Sequence, residues 1–168
     1  TSYLRIIGAV SGVAILLGLI VPLLLIKVQR RVLAGARDRY PPPGRLVQVG
    51  DHWLHISCDG ASEPGLPTVV IDAGSGGFSL DWIGIQRELT GSSGEHAGPY
   101  RVCIYDRAGY GWSQSGSLPR DADQAVGELH ALLRESGEAG PYLMIGHSLG
   151  GLHAQLYAAR YPEEVASL

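Results

Sequence analysis

The chain has 168 residues, a length that suits one domain plus a small extra. Its formal charge of −3 is unevenly shared: residues 1–45 carry +6 and residues 46–168 carry −9, so the two parts face different surroundings. Its two cysteines form no Cys-x-x-Cys pair, which removes support for zinc or thioredoxin-like chemistry, and no nucleic-acid partner is expected.

The basic part contains an uncharged run of 21 residues, 6–26, whose only polar side chain is Ser11. As a helix it would reach about 30 Å, enough for a bilayer core. Arg5 precedes it, and Lys27, Arg30, Arg31, Arg37 and Arg39 follow. A secretory signal peptide is the rival reading, but its apolar region is about 7–15 residues. Ala34-Gly35-Ala36 resembles a cleavage site, yet three basic residues separate it from the run. A buried core helix is the third reading. A single-pass membrane anchor over residues 1–27 is therefore expected, in contact with lipid through residues 6–26. The basic flank places the following domain in the cytoplasm. Gly8 and Gly12 have the spacing that lets two such helices approach, so a homodimer through them is a further expectation.

Residues 28–44 read as a basic linker ended by Pro41-Pro42-Pro43-Gly44. Residues 45–49 and 52–58 alternate apolar and polar around Gly50-Asp51, the pattern of a β-hairpin. Residues 68–71 are a short apolar run, as in a strand buried on both faces. A short helix over 81–89, a strand over 100–105 and a helix over 121–136 follow. In that helix Ala122, Ala125, Val126, Leu129, Leu132 and Leu133 share one face, and Gly137 ends it. A strand over 143–146, a helix over 149–160 and the start of a strand at Val165 complete the order. Strands alternating with helices predict a doubly wound, mostly parallel α/β sheet over residues 45–168. Cys58 and Cys103 each fall inside a strand and are expected as buried free thiols, which fits a reducing compartment.

In open α/β sheets function lies beyond the carboxyl ends of the strands. Three ends are marked. Gly146-His147-Ser148-Leu149-Gly150 places Ser148 at a sharp strand-to-helix turn, with Gly146 and Gly150 leaving room for the backbone. The bare pattern arises by chance in Gly- and Ser-rich chains. The apolar strand before it and the helix start after it favour an exposed nucleophile, with the Leu149 amide as oxyanion donor. Asp72-Ala73-Gly74-Ser75-Gly76-Gly77-Phe78 is the second end. There Gly74 allows the turn and the Ser75 amide is the expected second donor, a plain turn or a nucleotide loop being the alternatives. The dinucleotide pattern fails at Ser79, and no Gly-Lys-Ser/Thr exists for a phosphate loop. The third end, residues 106–113, is expected to be structural, with Asp106 and Arg107 holding neighbouring loops.

Together these three stretches resemble the α/β-hydrolase family of the serine type. The elbow, the oxyanion loop and an Asp-x-Gly-x-Gly-x-Ser-like stretch stand in family order, and Tyr161-Pro162-Glu163-Glu164-Val165 leads toward a further strand. The resemblance covers about residues 44–168, roughly the first half of that fold. One departure is Ala73-Gly74 where many members have His-Gly; a backbone donor does not need that His. The resemblance implies an acid and a His on later strands, so both are expected beyond residue 168. His147 is expected to turn its ring away, and His52, His55, His96, His130 and His153 to be surface or packing residues. The remaining carboxylates are expected on solvated faces.

The resulting expectation is a membrane-anchored serine hydrolase acting on an ester, amide or related small acyl substrate, with no metal or organic cofactor. A Ser nucleophile argues against haloalkane dehalogenase or epoxide hydrolase chemistry. Two alternatives stand: a non-catalytic binding or tethering protein on this fold, and an acyltransferase.

Overall fold

The structure is a computed structural model that describes residues 2–92 and 98–168. In the first helix it describes side-chain surroundings for Tyr3 and for residues 11–12, 15–32, 35 and 39. The chain forms two compact units that divide between Pro41 and Pro42.

The first unit is one helix, α1 (Ser2–Arg39), with Pro22 inside it. The basic segment expected as a linker is helical as far as Arg39, because no proline lies between Lys27 and Arg39. The Pro41–Pro43 run then ends it. Described apolar side chains such as Ile15, Leu19, Leu23 and Leu25 are exposed. Among the described residues, no helix is long and apolar enough to cross a membrane. Residues 6–10, 13 and 14 of the apolar run, Gly8 included, have side chains outside that description. At Gly12 and Gly18 an added Cβ would meet nothing within 4 Å.

The second unit is a six-stranded sheet in which Arg45–Val49, His52–Asp59, Val102–Tyr105, Thr68–Asp72, Tyr142–Gly146 and Val165–Ser167 lie side by side in that order. Strands β1 (Arg45–Val49) and β2 (His52–Asp59) form the expected hairpin, and β2 runs antiparallel to β4 (Val102–Tyr105). From β4 onward, β3 (Thr68–Asp72), β5 (Tyr142–Gly146) and β6 (Val165–Ser167) are parallel. All of β3 and β4 is buried, which explains their continuous apolar sequences.

Helices α3 (Ala122–Glu135) and α4 (Leu149–Arg160) cover one face. The stripe Val126, Leu129, Leu132 and Leu133 packs on Val70, Met144 and Tyr105. Asp121 caps α3 by accepting from the Gln124 amide at 2.9 Å. The other face gathers Val69, Ile71, Val102 and Ile104 under Trp82, Ile83 and Leu89 of the 3₁₀ turn Ser79–Trp82 and α2 (Ile83–Thr90). Gln86 of α2, itself buried, donates to the carbonyls of Ser57 and Val102 at 2.9 Å each and so fixes the helix to β2 and β4.

One expectation fails here. Cys58 and Cys103 face each other across β2 and β4, with Cα atoms 4.0 Å apart, and are joined by a disulfide rather than free. They are 45 residues apart in sequence, so only the strand register reveals the pair.

Candidate active site

The elbow forms as its glycines predict. Strand β5 ends at Gly146 and α4 begins at Leu149, leaving only His147 and Ser148 for the reversal. Ser148 has φ 53° and ψ −115°, and among the described residues it alone has a positive φ without being glycine. Such a conformation costs about 1–3 kcal/mol and persists only where the surroundings force it. They do so here. A Cβ on Gly146 would sit 2.5 Å from the Gly150 oxygen and the Gly151 Cα, and one on Gly150 would sit 2.2 Å from the Asp72 oxygen. The strand end, the helix start and the end of β3 therefore touch backbone to backbone. The His147 amide donates to the Asp72 carbonyl at 3.1 Å across the same junction. Ser148 is exposed, at the amino end of α4.

The loop after β3 closes as a tight turn, the Gly77 amide donating to Gly74 O at 3.2 Å, with Gly76 at φ 79°. Ser75 and Gly76 form its exposed crown. Asp81 holds the far side by accepting from the Phe78 amide at 3.0 Å. The register pairs Asp72 with Gly146, so this loop and the elbow leave the sheet side by side. Leu149 is the first residue of α4, where the amide has no intrahelical acceptor.

An open cavity of about 510 Å³ is lined by Ala73–Gly77, Asp81, Trp82 and His147. The His147 ring was expected to turn away; it lies against the loop, its Nδ1 only 2.7 Å from where a Gly74 Cβ would be. Leu149 lines a separate cavity of about 280 Å³ with Arg107, Tyr110, Arg120 and His153.

The third marked end is structural, as its residues suggest. Asp106 is fully buried and accepts from the amides of Ser79 at 2.8 Å and Trp112 at 2.9 Å and from His55 Nδ1 at 3.0 Å. Burial pushes its carboxyl pKa up, but the bonds from His55, Ser79 and Trp112 outweigh that and hold it below the usual carboxylate range. Ser79 Oγ also lies 3.5 Å from His55 Nδ1. Ser79, His55 and Asp106 are not a catalytic triad: serine and aspartate meet the same ring nitrogen, and His55 Nε2 accepts from the Gly44 amide at 3.2 Å.

Three buried carboxylates went unread in the sequence. Asp72, Glu128 and Glu138 are buried, not on solvated faces. Asp72 pairs with Arg107 and with His153 Nδ1, the latter at 2.9 Å, and Glu128 pairs with Arg120. A charged residue closing the otherwise apolar strand Thr-Val-Val-Ile was the available signal. Each described histidine other than His147 meets a carboxylate: His52 at Asp51, His55 at Asp106, His130 at Glu164 and His153 at Asp72. His96 lies outside the described residues. Among the described residues, Cys58, Cys103 and Glu138 are close enough to share a metal ion. The sulfurs are bonded to each other and Glu138 is held by Arg101 at 2.6 and 2.7 Å, so the donor set does not fit one.

A strained serine at a strand-to-helix turn, beside a glycine-rich loop after the neighbouring parallel strand, defines an elbow-and-loop site on an α/β sheet. Residues 67–168 match the family model of the alpha/beta hydrolase fold, and the chain belongs to that family. The chain is 28% identical over 125 residues to the uncharacterized protein YbdG of Bacillus subtilis, covering 74% of this chain and 36% of YbdG. It is 36% identical over 108 residues to RutD of Cronobacter sakazakii, named as a proposed carbamate hydrolase, covering 62% of this chain and 37% of RutD. Among solved structures, an alpha/beta hydrolase from Novosphingobium aromaticivorans superposes with a TM-score of 0.61 at 28% identity, covering 73% of this chain and 41% of that one. The enol-lactonase from Burkholderia xenovorans superposes at 0.62 with 25% identity, covering 72% and 44%. The chain thus spans under half the length of these relatives.

Proposed function

We propose that this chain carries the nucleophile and oxyanion donors of a serine hydrolase acting on an ester, amide or related acyl compound. The observation that carries the reading is Ser148 at φ 53°, exposed and held there by close-packed glycines. Ser148 Oγ attacks the acyl carbon, and the amides of Leu149 and Ser75 stabilise the resulting oxyanion. A histidine outside residues 1–168, oriented by a carboxylate, takes the serine proton and passes it to the leaving group; water then releases the acyl group. Similarity to an enol-lactonase and to a proposed carbamate hydrolase favours an acyl–heteroatom bond as the target.

A fluorophosphonate probe tests the reading on the full-length protein. Covalent labelling that disappears in Ser148→Ala is the expected result. A folded protein that does not label would instead mark the fold as a binding or tethering module. Added alcohol or amine acceptors that outcompete water would mark an acyltransferase.

We further propose that α1 attaches the protein to a membrane through residues 6–26, supported by its exposed apolar side chains and the basic residues behind them. The basic flank argues for a cytoplasmic hydrolase domain. The Cys58–Cys103 disulfide argues for an oxidising compartment. The redox state of the pair in intact cells decides the side.

A further inference from the structure

We infer that Arg107 is a positioning residue for the oxyanion hole, orienting the Ser75 amide, with Asp72 and His153 holding it in place. The inference rests on the nucleophile reading of Ser148. Arg107 is buried at the end of β4, and its Nη1 donates to Asp72 Oδ1 and to the Ala73 carbonyl. Its Nη2 donates to the Gly74 carbonyl. That last contact has a covalent consequence. The Gly74 carbonyl and the Ser75 N–H belong to one planar trans peptide, so they point in opposite directions. A guanidinium fixed on the carbonyl therefore fixes where the Ser75 N–H points. The charged donor also polarises the peptide, making the N–H a stronger donor to a developing oxyanion.

The guanidinium is itself held. Asp72 neutralises it, and the second Asp72 oxygen meets His153 Nδ1 at 2.9 Å. A carboxylate paired with a guanidinium only accepts, so Nδ1 carries the hydrogen. His153 lies in the first turns of α4, the helix that begins with the Leu149 amide. The buried trio thus joins the loop bearing one candidate donor to the helix bearing the other. Tyr110 flanks the guanidinium, its ring centroid 5.2 Å from the Arg107 Cζ. Neither Arg107 nor His153 touches the reacting atoms; both act through the backbone.

The test is the kinetics of fluorophosphonate labelling, resolved into probe affinity and the maximal bond-forming rate, on the full-length protein. Arg107→Lys keeps the charge but cannot span two carbonyls and a carboxylate. The maximal rate is expected to fall about tenfold to a hundredfold, the range for a displaced oxyanion donor, with affinity within about twofold. Arg101→Lys loosens a bidentate ion pair with Glu138 away from the site and serves as the structural control. It should lower the melting temperature and leave the maximal rate of the folded protein unchanged. If Arg107→Lys does not fold, His153→Gln carries the same comparison, with an expected fall of about threefold. A folded variant that labels at the wild-type maximal rate overturns the inference while leaving the nucleophile reading intact. A wild-type protein that does not label overturns both.

Discussion

Ser148 and Asp106 show how single residues are fixed by neighbours that do no chemistry. The φ of 53° at Ser148 is imposed by close-packed backbone around Gly146 and Gly150, not chosen by the serine. Asp106 plays the structural counterpart behind the site. Its charge is stabilised by two amides and the His55 ring, and its pKa lies below the ordinary aspartate value of 3.8 despite burial. A depressed carboxylate pKa means that the unfolded chain takes up the proton first as the pH falls. The stability supplied by the Asp106 charge is therefore full well above pH 3.8 and is lost as the pH drops through the lower folded value. Urea unfolding of wild type and Asp106→Asn across pH 7 to 3 should show a stability gap at neutral pH that narrows below about pH 4. A gap independent of pH would mean that the charge contributes nothing.

The link between β2 and β4 operates at the scale of elements. The hairpin β1–β2 is the antiparallel edge of an otherwise parallel sheet, and β2 meets β4 through four residue pairs. The Cys58–Cys103 bridge closes that junction across 45 residues, and Arg101 on Glu138 ties the start of β4 to the end of α3. A loop of that length removes about 4 kcal/mol of unfolded-state entropy in the chain-entropy account. Replacing both cysteines by serine should lower unfolding stability by up to that amount. The wild-type protein should resist alkylation until reduced and then take up two alkyl groups. Immediate alkylation of both cysteines in native protein would show that the bridge is not formed.

For the whole molecule, the two units differ in the side chains they expose. The second unit buries Leu132, Tyr157, Ile71 and Ile104 almost completely, whereas α1 exposes a run of large apolar side chains with basic residues after it. An apolar helix surface of this kind is stable in lipid or against protein, not in water. The full-length protein should remain in the membrane pellet after alkaline carbonate extraction, and deleting residues 6–26 should release it to the supernatant. Full-length protein in the supernatant would remove the anchor reading.

The sequence by itself determined the order of elements, the sharp turn at Ser148 and the glycine-rich loop after β3. Each depends on local rules: apolar periodicity for strands and helices, and glycine where a Cβ has no room. The helix starting at Leu149 and the hairpin flanking Gly50-Asp51 were legible for that reason. Only the tertiary structure decided what depends on register between distant segments. Strand β4 lies between β2 and β3, which brings Cys103 opposite Cys58 and Arg107 beside Asp72, Ala73 and Gly74. Sequence spacing carries no record of such pairings, because hydrogen-bond and charge partners are selected by proximity in space. The continuation of α1 through Arg39 was likewise hidden: the basic, proline-flanked composition suggests a linker, while helical hydrogen bonding needs only the absence of a breaker before Pro41.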